Sequence, residues 1–198
     1  MQNRKREEKA AKELLRRRKV LGDAPTIARS EWSTHPNYHS IASHFLGFHE
    51  HFRSDLRKLV RVSNVDEPYR GGGGRNRAQA LQRRVRELSR AFSQLNSHLH
   101  THHSIEDRHV FPQAIRANKG LTTAVGMLEK DHGTMNKLLK GAEGAISTAE
   151  KARSETDLEE GLARCHQALV ALSTFMSQHL QDEEDLLIPL MLEGLLGV

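Results

Sequence analysis

A chain of 198 residues, 37% hydrophobic and 5% aromatic, can bury one compact core but is short for two independent ones, and it has a single cysteine, Cys165, which excludes an internal disulfide or a thiolate cluster. No run approaches the roughly 18 consecutive apolar residues of a membrane span, and the charged N-terminal stretch has no apolar segment before a cleavage site, so a soluble, cytoplasmic protein without a membrane partner is the expectation. The net charge of +5 owes much to Arg4, Lys5, Arg6, Arg16, Arg17, Arg18 and Lys19, with no recognition motif, aromatic interleaving or zinc-finger spacing beside them, so nucleic acid is not expected as a partner.

In chain order, residues 4–19 have the composition of a helix or a solvated basic arm, and residues 23–36 mix prolines and serines with Trp32 without a period. Residues 1–40 therefore read as a helical or irregular N-terminal extension able to cover one end of a helical bundle. From Ile41, the residues Phe45, Phe48, Phe52, Leu56 and Leu59 recur at helical spacing. Residues 63–76, with Pro68 and the run Gly71 to Gly74, read as a flexible connection; no Lys-Ser/Thr comes after them, so the glycines do not form a phosphate cradle. In the second long helix, Leu81, Val85, Leu88, Phe92, Leu95 and Leu99 alternate in steps of four and three, the seam spacing of helices packed side by side. The next steps fall on His102 and Glu106. The third helix carries Leu121, Val125, Leu128, Met135, Leu139 and Ala142, with His132 filling the gap in its seam. The fourth carries Leu158, Leu162, Cys165, Leu169, Leu172 and Met176, then His179 and Glu183, then Leu186 and Leu190. Gly120, Gly141, Gly144 and Gly161 fall near the expected breaks. The fold class is all-α, an up-down-up-down four-helix bundle over residues 41–194.

The chain has 13 histidines, and several interrupt apolar seams. An internal repeat places them: each half has a helix with one seam histidine, His49 or His132, followed by a helix with a His-x-x-x-Glu pair, His102 with Glu106 and His179 with Glu183. A proline, Pro112 or Pro189, lies six residues beyond each Glu. Positions i and i+4 share a helix face, so each pair addresses one point. A single such pair is commonly a surface ion pair, and a single seam histidine is commonly a satisfied core residue. Six such residues on seams of Leu, Val, Phe and Met are different, because a buried carboxylate costs several kcal/mol unless charge or metal compensates it. Four imidazoles and two carboxylates exceed one tetrahedral zinc site and suit two ions, bridged by Glu106 and Glu183, with coordination positions left over. The ligand types suit iron, manganese or zinc. His51 lies about 200° around its helix from His49, so only one of them faces inward, and the seam selects His49. His35, His39, His44, His100, His103 and His166 are expected exposed or around the site. A ferritin-type centre needs two Glu-x-x-His pairs, and only Glu106 with His109 has that spacing on a seam.

The order His49, His102-x-x-x-Glu106, His132, His179-x-x-x-Glu183 resembles the hemerythrin-like, or HHE cation-binding, pattern. The resemblance extends over roughly residues 41–192, with the local matches HEHFRSDL from His49, HHSIEDRHVFP from His102 and HLQDEEDLLIP from His179. It implies a four-helix bundle holding two iron ions as an oxo- or carboxylate-bridged centre, with dioxygen, nitric oxide or peroxide as small ligand. Oxygen carriers of that family have a second histidine on the third helix, where this chain has Asn136, so their five-histidine set is incomplete here; His109 and His98 are the candidates to replace it. The carriers also end their last pair one residue later and with Asp, whereas the repeat selects Glu183 over Glu184. The resemblance implies one of two functions: reversible binding of dioxygen or nitric oxide for storage or sensing, or a di-iron oxidase, oxygenase or peroxidase acting on a small organic substrate held in an apolar cavity. The size is compatible with a monomer or a homodimer.

Overall fold

Four apolar seams become four long helices. The computed structural model describes residue 20, residues 27–67 and residues 77–197, and no strand occurs among them. The expectations for residues 4–19 and for Pro68 and the glycine run lie outside the described residues. The helices are α1 (Arg29–Trp32), α2 (Ser43–Ser63), α3 (Arg77–Ile105), α4 (Phe111–Ala117), α5 (Thr122–Lys151) and α6 (Glu155–Leu192). π-helical turns occupy Tyr38–Ala42 and Glu106–Val110, and a 3-10 turn occupies Lys119–Leu121. The chain divides into two compact units.

One unit comprises Gly47–Ser104 and Asp131–Gln178. Its interior is the seams themselves, including Phe52, Leu56 and Leu59 from α2, Leu88, Phe92 and Leu95 from α3, Met135 and Leu139 from α5, and Leu162, Leu169 and Leu172 from α6. Chain direction is fixed by the contacts. The His49 and His102 rings meet, so the start of α2 lies beside the end of α3; His103 meets His132, joining the end of α3 to α5. A Cβ placed on Gly161 would lie 2.9 Å from Ala149 Cβ, so the end of α5 touches the start of α6. Consecutive helices of this unit thus run up, down, up and down. Arg84, 4% exposed, closes the α2–α3 end by donating to the carbonyls of Val62 and Asn64, satisfying acceptors that the terminus of α2 leaves open. His166 Nδ1 lies 3.1 Å from Ser63 Oγ, which gives that half-buried histidine a structural role.

The other unit comprises residues up to Leu46, Ile105–Lys130 and His179–Val198. From Leu186 to Leu192 the last turns of α6 are apolar on every side, so a single interface cannot cover them. Trp32, Ala42 and Phe45 from the N-terminal segment, Val110, Phe111 and Ala114 around α4, and Leu121, Val125 and Leu128 of the 3-10 turn and α5 enclose them in one core. Asn37 Nδ2 donates to the Leu192 carbonyl at 2.7 Å, and Arg29 reaches the same helix. Within this unit the segment around Trp32 packs against the last turns of α6.

Two local expectations are corrected. Phe48 is 61% exposed rather than on the apolar stripe of α2, because Phe45, His49, Phe52 and Leu56 complete that stripe without it. Gly141, Gly144 and Gly161 do not mark breaks. Helix α5 continues to Lys151, and the connection is set by Ser154, whose Oγ accepts from Asp157 N–H at 3.0 Å as an N-cap of α6. Isolated glycines inside a helix cost only about 1 kcal/mol each, which packing overrides.

Candidate metal centre

The histidines sit where helix geometry and apolar seams coincide. From Leu99, a step of three residues turns about 60° to one side of the seam and a step of four about 40° to the other. His102 and His103 therefore flank the α3 seam, and both face inward. In the unit formed by Gly47–Ser104 and Asp131–Gln178, the His102 ring meets His49 edge-on at 5.3 Å between centroids, and Phe52 at 5.0 Å. His103 stacks on His132, with centroids 4.0 Å apart and planes 17° from parallel. His49 is 0% exposed and His132 4%.

The carboxylates and the last histidine belong to the other unit. Glu106, His179 and Glu183 are all buried, and His179 Nε2 lies 3.0 Å from Glu183 Oε1 across one turn of α6. Glu106 opens the π-helical turn Glu106–Val110, whose wider winding adds a residue before the next buried position. Val110 takes that position, and His109 is exposed, as is His98. Neither is placed to replace a missing ligand. The adjacent Glu184 is also buried but is held elsewhere: Arg29 donates Nη1 to Glu184 Oε2 at 2.9 Å, Nε to Asp185 Oδ1 at 2.7 Å and Nη2 to the Gln181 carbonyl at 3.1 Å. Burial by itself would lower the Arg29 pKa, but the hydrogen bonds to Asp185 and Glu184 outweigh it and raise it. Arg29 also lies over the Trp32 ring at 4.8 Å, a cation–π contact that fixes the guanidinium.

Within one unit the ligand atoms of His49 and His102 lie within 4.8 Å of each other, as do those of His103 and His132; within the other, those of Glu106 and Glu183 do, with His179 beside Glu183. All six residues singled out by the sequence are in these groups. The seventh, His103, was expected exposed or around the site and is 5% exposed. Its signal was present in the step of four from Leu99, which fits the seam as well as the step of three to His102. His51, by contrast, is exposed and pairs with Asp55 at 3.1 Å, as its angle from His49 requires.

Five imidazoles and two carboxylates fit cation binding. Neutral imidazole and carboxylate suit borderline divalent metals, and seven donors exceed the needs of one four-coordinate ion. Cys165 does not join them: burial pushes its thiol from 9.0 up to about 11, so it remains a protonated thiol in an apolar seam.

Residues 40–191 match the model of the hemerythrin family, described as the hemerythrin HHE cation binding domain. The chain belongs to that family. No match was found among curated proteins or among solved structures. As a hemerythrin-family protein this is a helical, metal-binding chain, and its His and Glu groups are able to hold a metal ion. Among the described residues no helix is long and apolar enough to cross a membrane.

Proposed function

We propose that this hemerythrin-family protein holds two iron ions with His49, His102, Glu106, His132, His179 and Glu183, and binds dioxygen or nitric oxide reversibly for storage or sensing. The observation that carries the reading is the position of Glu183. Its buried carboxylate has a ligand atom within 4.8 Å of that of Glu106, and it also lies 3.0 Å from Nε2 of His179. A carboxylate shared in this way suits two neighbouring cations better than one. Iron held by these residues would supply reversible binding of a diatomic ligand. The chain's own residues do the rest: the apolar seams exclude bulk water, and Phe52 restricts the His102 ring from one side.

The test is metal content on protein purified without added metal, together with absorption spectra after anaerobic reduction and after re-exposure to air or nitric oxide. About two irons per chain and a reversible, ligand-dependent band are expected. Irreversible oxidation would favour the oxidase or peroxidase alternative, and one zinc or no metal would refute the di-iron reading.

A further inference from the structure

We propose that Arg29 is a positioning residue for the metal ligand Glu183: its guanidinium, seated on Trp32, grips the turn of α6 that carries Glu183 and holds Glu184 and Asp185 to one side. The inference rests on the reading of Glu106, His179 and Glu183 as ligands, and every residue it uses lies in one compact unit. Asp182, Glu183 and Glu184 are consecutive and buried, at 3%, 0% and 2% exposure. Successive side chains of a helix point about 100° apart, so turning this stretch by one residue would offer the centre a different carboxylate. Apolar burial in this unit does not choose among those rotations, because α6 is apolar and buried on every side from Leu186 to Leu192. The main-chain anchor adds little: Asn37 Nδ2 donates to the Leu192 carbonyl, and helix carbonyls point along the axis.

Arg29 supplies what those contacts lack. Nη1 donates to Glu184 Oε2 at 2.9 Å, Nε to Asp185 Oδ1 at 2.7 Å and Nη2 to the Gln181 carbonyl at 3.1 Å. Three donors in one rigid plane on three acceptors of one turn fix the direction in which that turn faces, which a single ammonium cannot do. The guanidinium is itself held. It lies 4.8 Å over the ring of Trp32, which is 5% exposed within the core of this unit and donates Nε1 to the Ile27 carbonyl at 3.0 Å. With its charge answered by Arg29, Glu184 is not drawn toward a cation at Glu183. Glu184→Gln keeps an acceptor for Nη1, so the grip depends on Arg29 more than on that one carboxylate.

The experiment titrates the metal-free full chain with cobalt(II) read by its visible absorption, and separately with iron(II) without oxygen. The proteins are wild type, Arg29→Met, Arg29→Lys, Asp185→Ala, Asn37→Ala and Glu106→Ala, with circular dichroism reporting folding in each. Arg29→Met and Arg29→Lys should each bind metal about 10–100-fold more weakly, the range for loss of a group that orients a ligand, and their cobalt bands at saturation should differ from wild type. Asn37→Ala loosens the same segment without touching that turn and should leave the bands in place. Asp185→Ala removes one of the three acceptors at a side chain that is 39% exposed, and carries the test if Arg29→Met does not fold: its bands should move the same way, and unchanged bands there overturn the inference. Wild-type affinity and bands in Arg29→Met overturn it, as does wild-type behaviour in Arg29→Lys, which would reduce Arg29 to its charge. So do weaker binding with unchanged bands at saturation, a loss of fold stability alone, and an equal band shift in Asn37→Ala. Failure of the underlying centre reads differently: Glu106→Ala would then bind metal as wild type does.

Discussion

Replacing Glu183 by glutamine should stabilise the metal-free protein and destabilise the metal-loaded one. Glu106 and Glu183 are 1% and 0% exposed, and each places a carboxylate oxygen in a group whose ligand atoms lie within 4.8 Å. Two like charges at that separation repel by about 3 kcal/mol or more at an effective dielectric near 20. Glutamine keeps the shape of glutamate, and its oxygen can still accept from His179 Nε2, now 3.0 Å from Glu183 Oε1, so the repulsion is relieved with little loss of packing. In a chain of this size 1 kcal/mol moves the melting temperature by roughly 2–4 °C, so the metal-free variant should melt up to about 6–12 °C above wild type. A proton shared by the two carboxylates would shrink that gain without reversing its sign. With cations bound, the same charge is a source of affinity, and its removal lowers the stabilisation that metal confers. The assay is a pair of calorimetric melts for each protein, with chelator and with iron(II) under nitrogen. Glu184→Gln is the control: Glu184 pairs with Arg29, so both forms should lose about 1–2 kcal/mol alike. A metal-free Glu183→Gln that melts below wild type, or that gains as much from metal as wild type does, would refute the reasoning.

Packing and burial set three further outcomes. Gly161→Ala places a Cβ 2.9 Å from Ala149 Cβ and 3.1 Å from its Cα, an overpacking cost of about 1–3 kcal/mol, whereas Gly144→Ala meets nothing within 4 Å and should gain about 0.5–1 kcal/mol in urea unfolding. Phe48→Ser should change stability by less than about 0.5 kcal/mol, while Phe52→Ala, at a site only 3% exposed, should cost about 3–5 kcal/mol. At pH 8 the Cys165 thiol should react with iodoacetamide at most about one-hundredth as fast as in the urea-unfolded chain, since its pKa stands at about 11 against 9.0. The raised value also fixes the sign of its linkage: the stability it contributes is complete below pH 9 and fades as pH rises toward 11. A comparison of wild type with Cys165→Ala in urea unfolding across that window checks it.

The helices and six of the seven grouped donors were legible in the sequence because both depend on a short-range regularity. A helix repeats every 3.6 residues, so Leu81 through Leu99 draw a line along α3, and the same line, continued, reaches the polar residues that the core must compensate. Glu183 was separable from Glu184 by the internal repeat alone. What the period could not decide was anything that depends on a second helix. His103 and His102 lie on either side of one seam, and only the arrival of α5 beside α3 makes the first of them a buried partner of His132. His109 looked like a seam residue until the π-helical turn at Glu106–Val110 moved the buried position to Val110. Likewise Phe48 has an apolar side chain but is 61% exposed, with no element among the described residues burying it, and Gly161 mattered for how closely α6 approaches Ala149 rather than for ending a helix. Sequence by itself determined which residues one helix turns to the same side, because that is fixed by backbone geometry. Only the tertiary structure decided which of two flanking side chains meets which neighbour, because burial and metal-ligand distance belong to pairs of helices and not to either one.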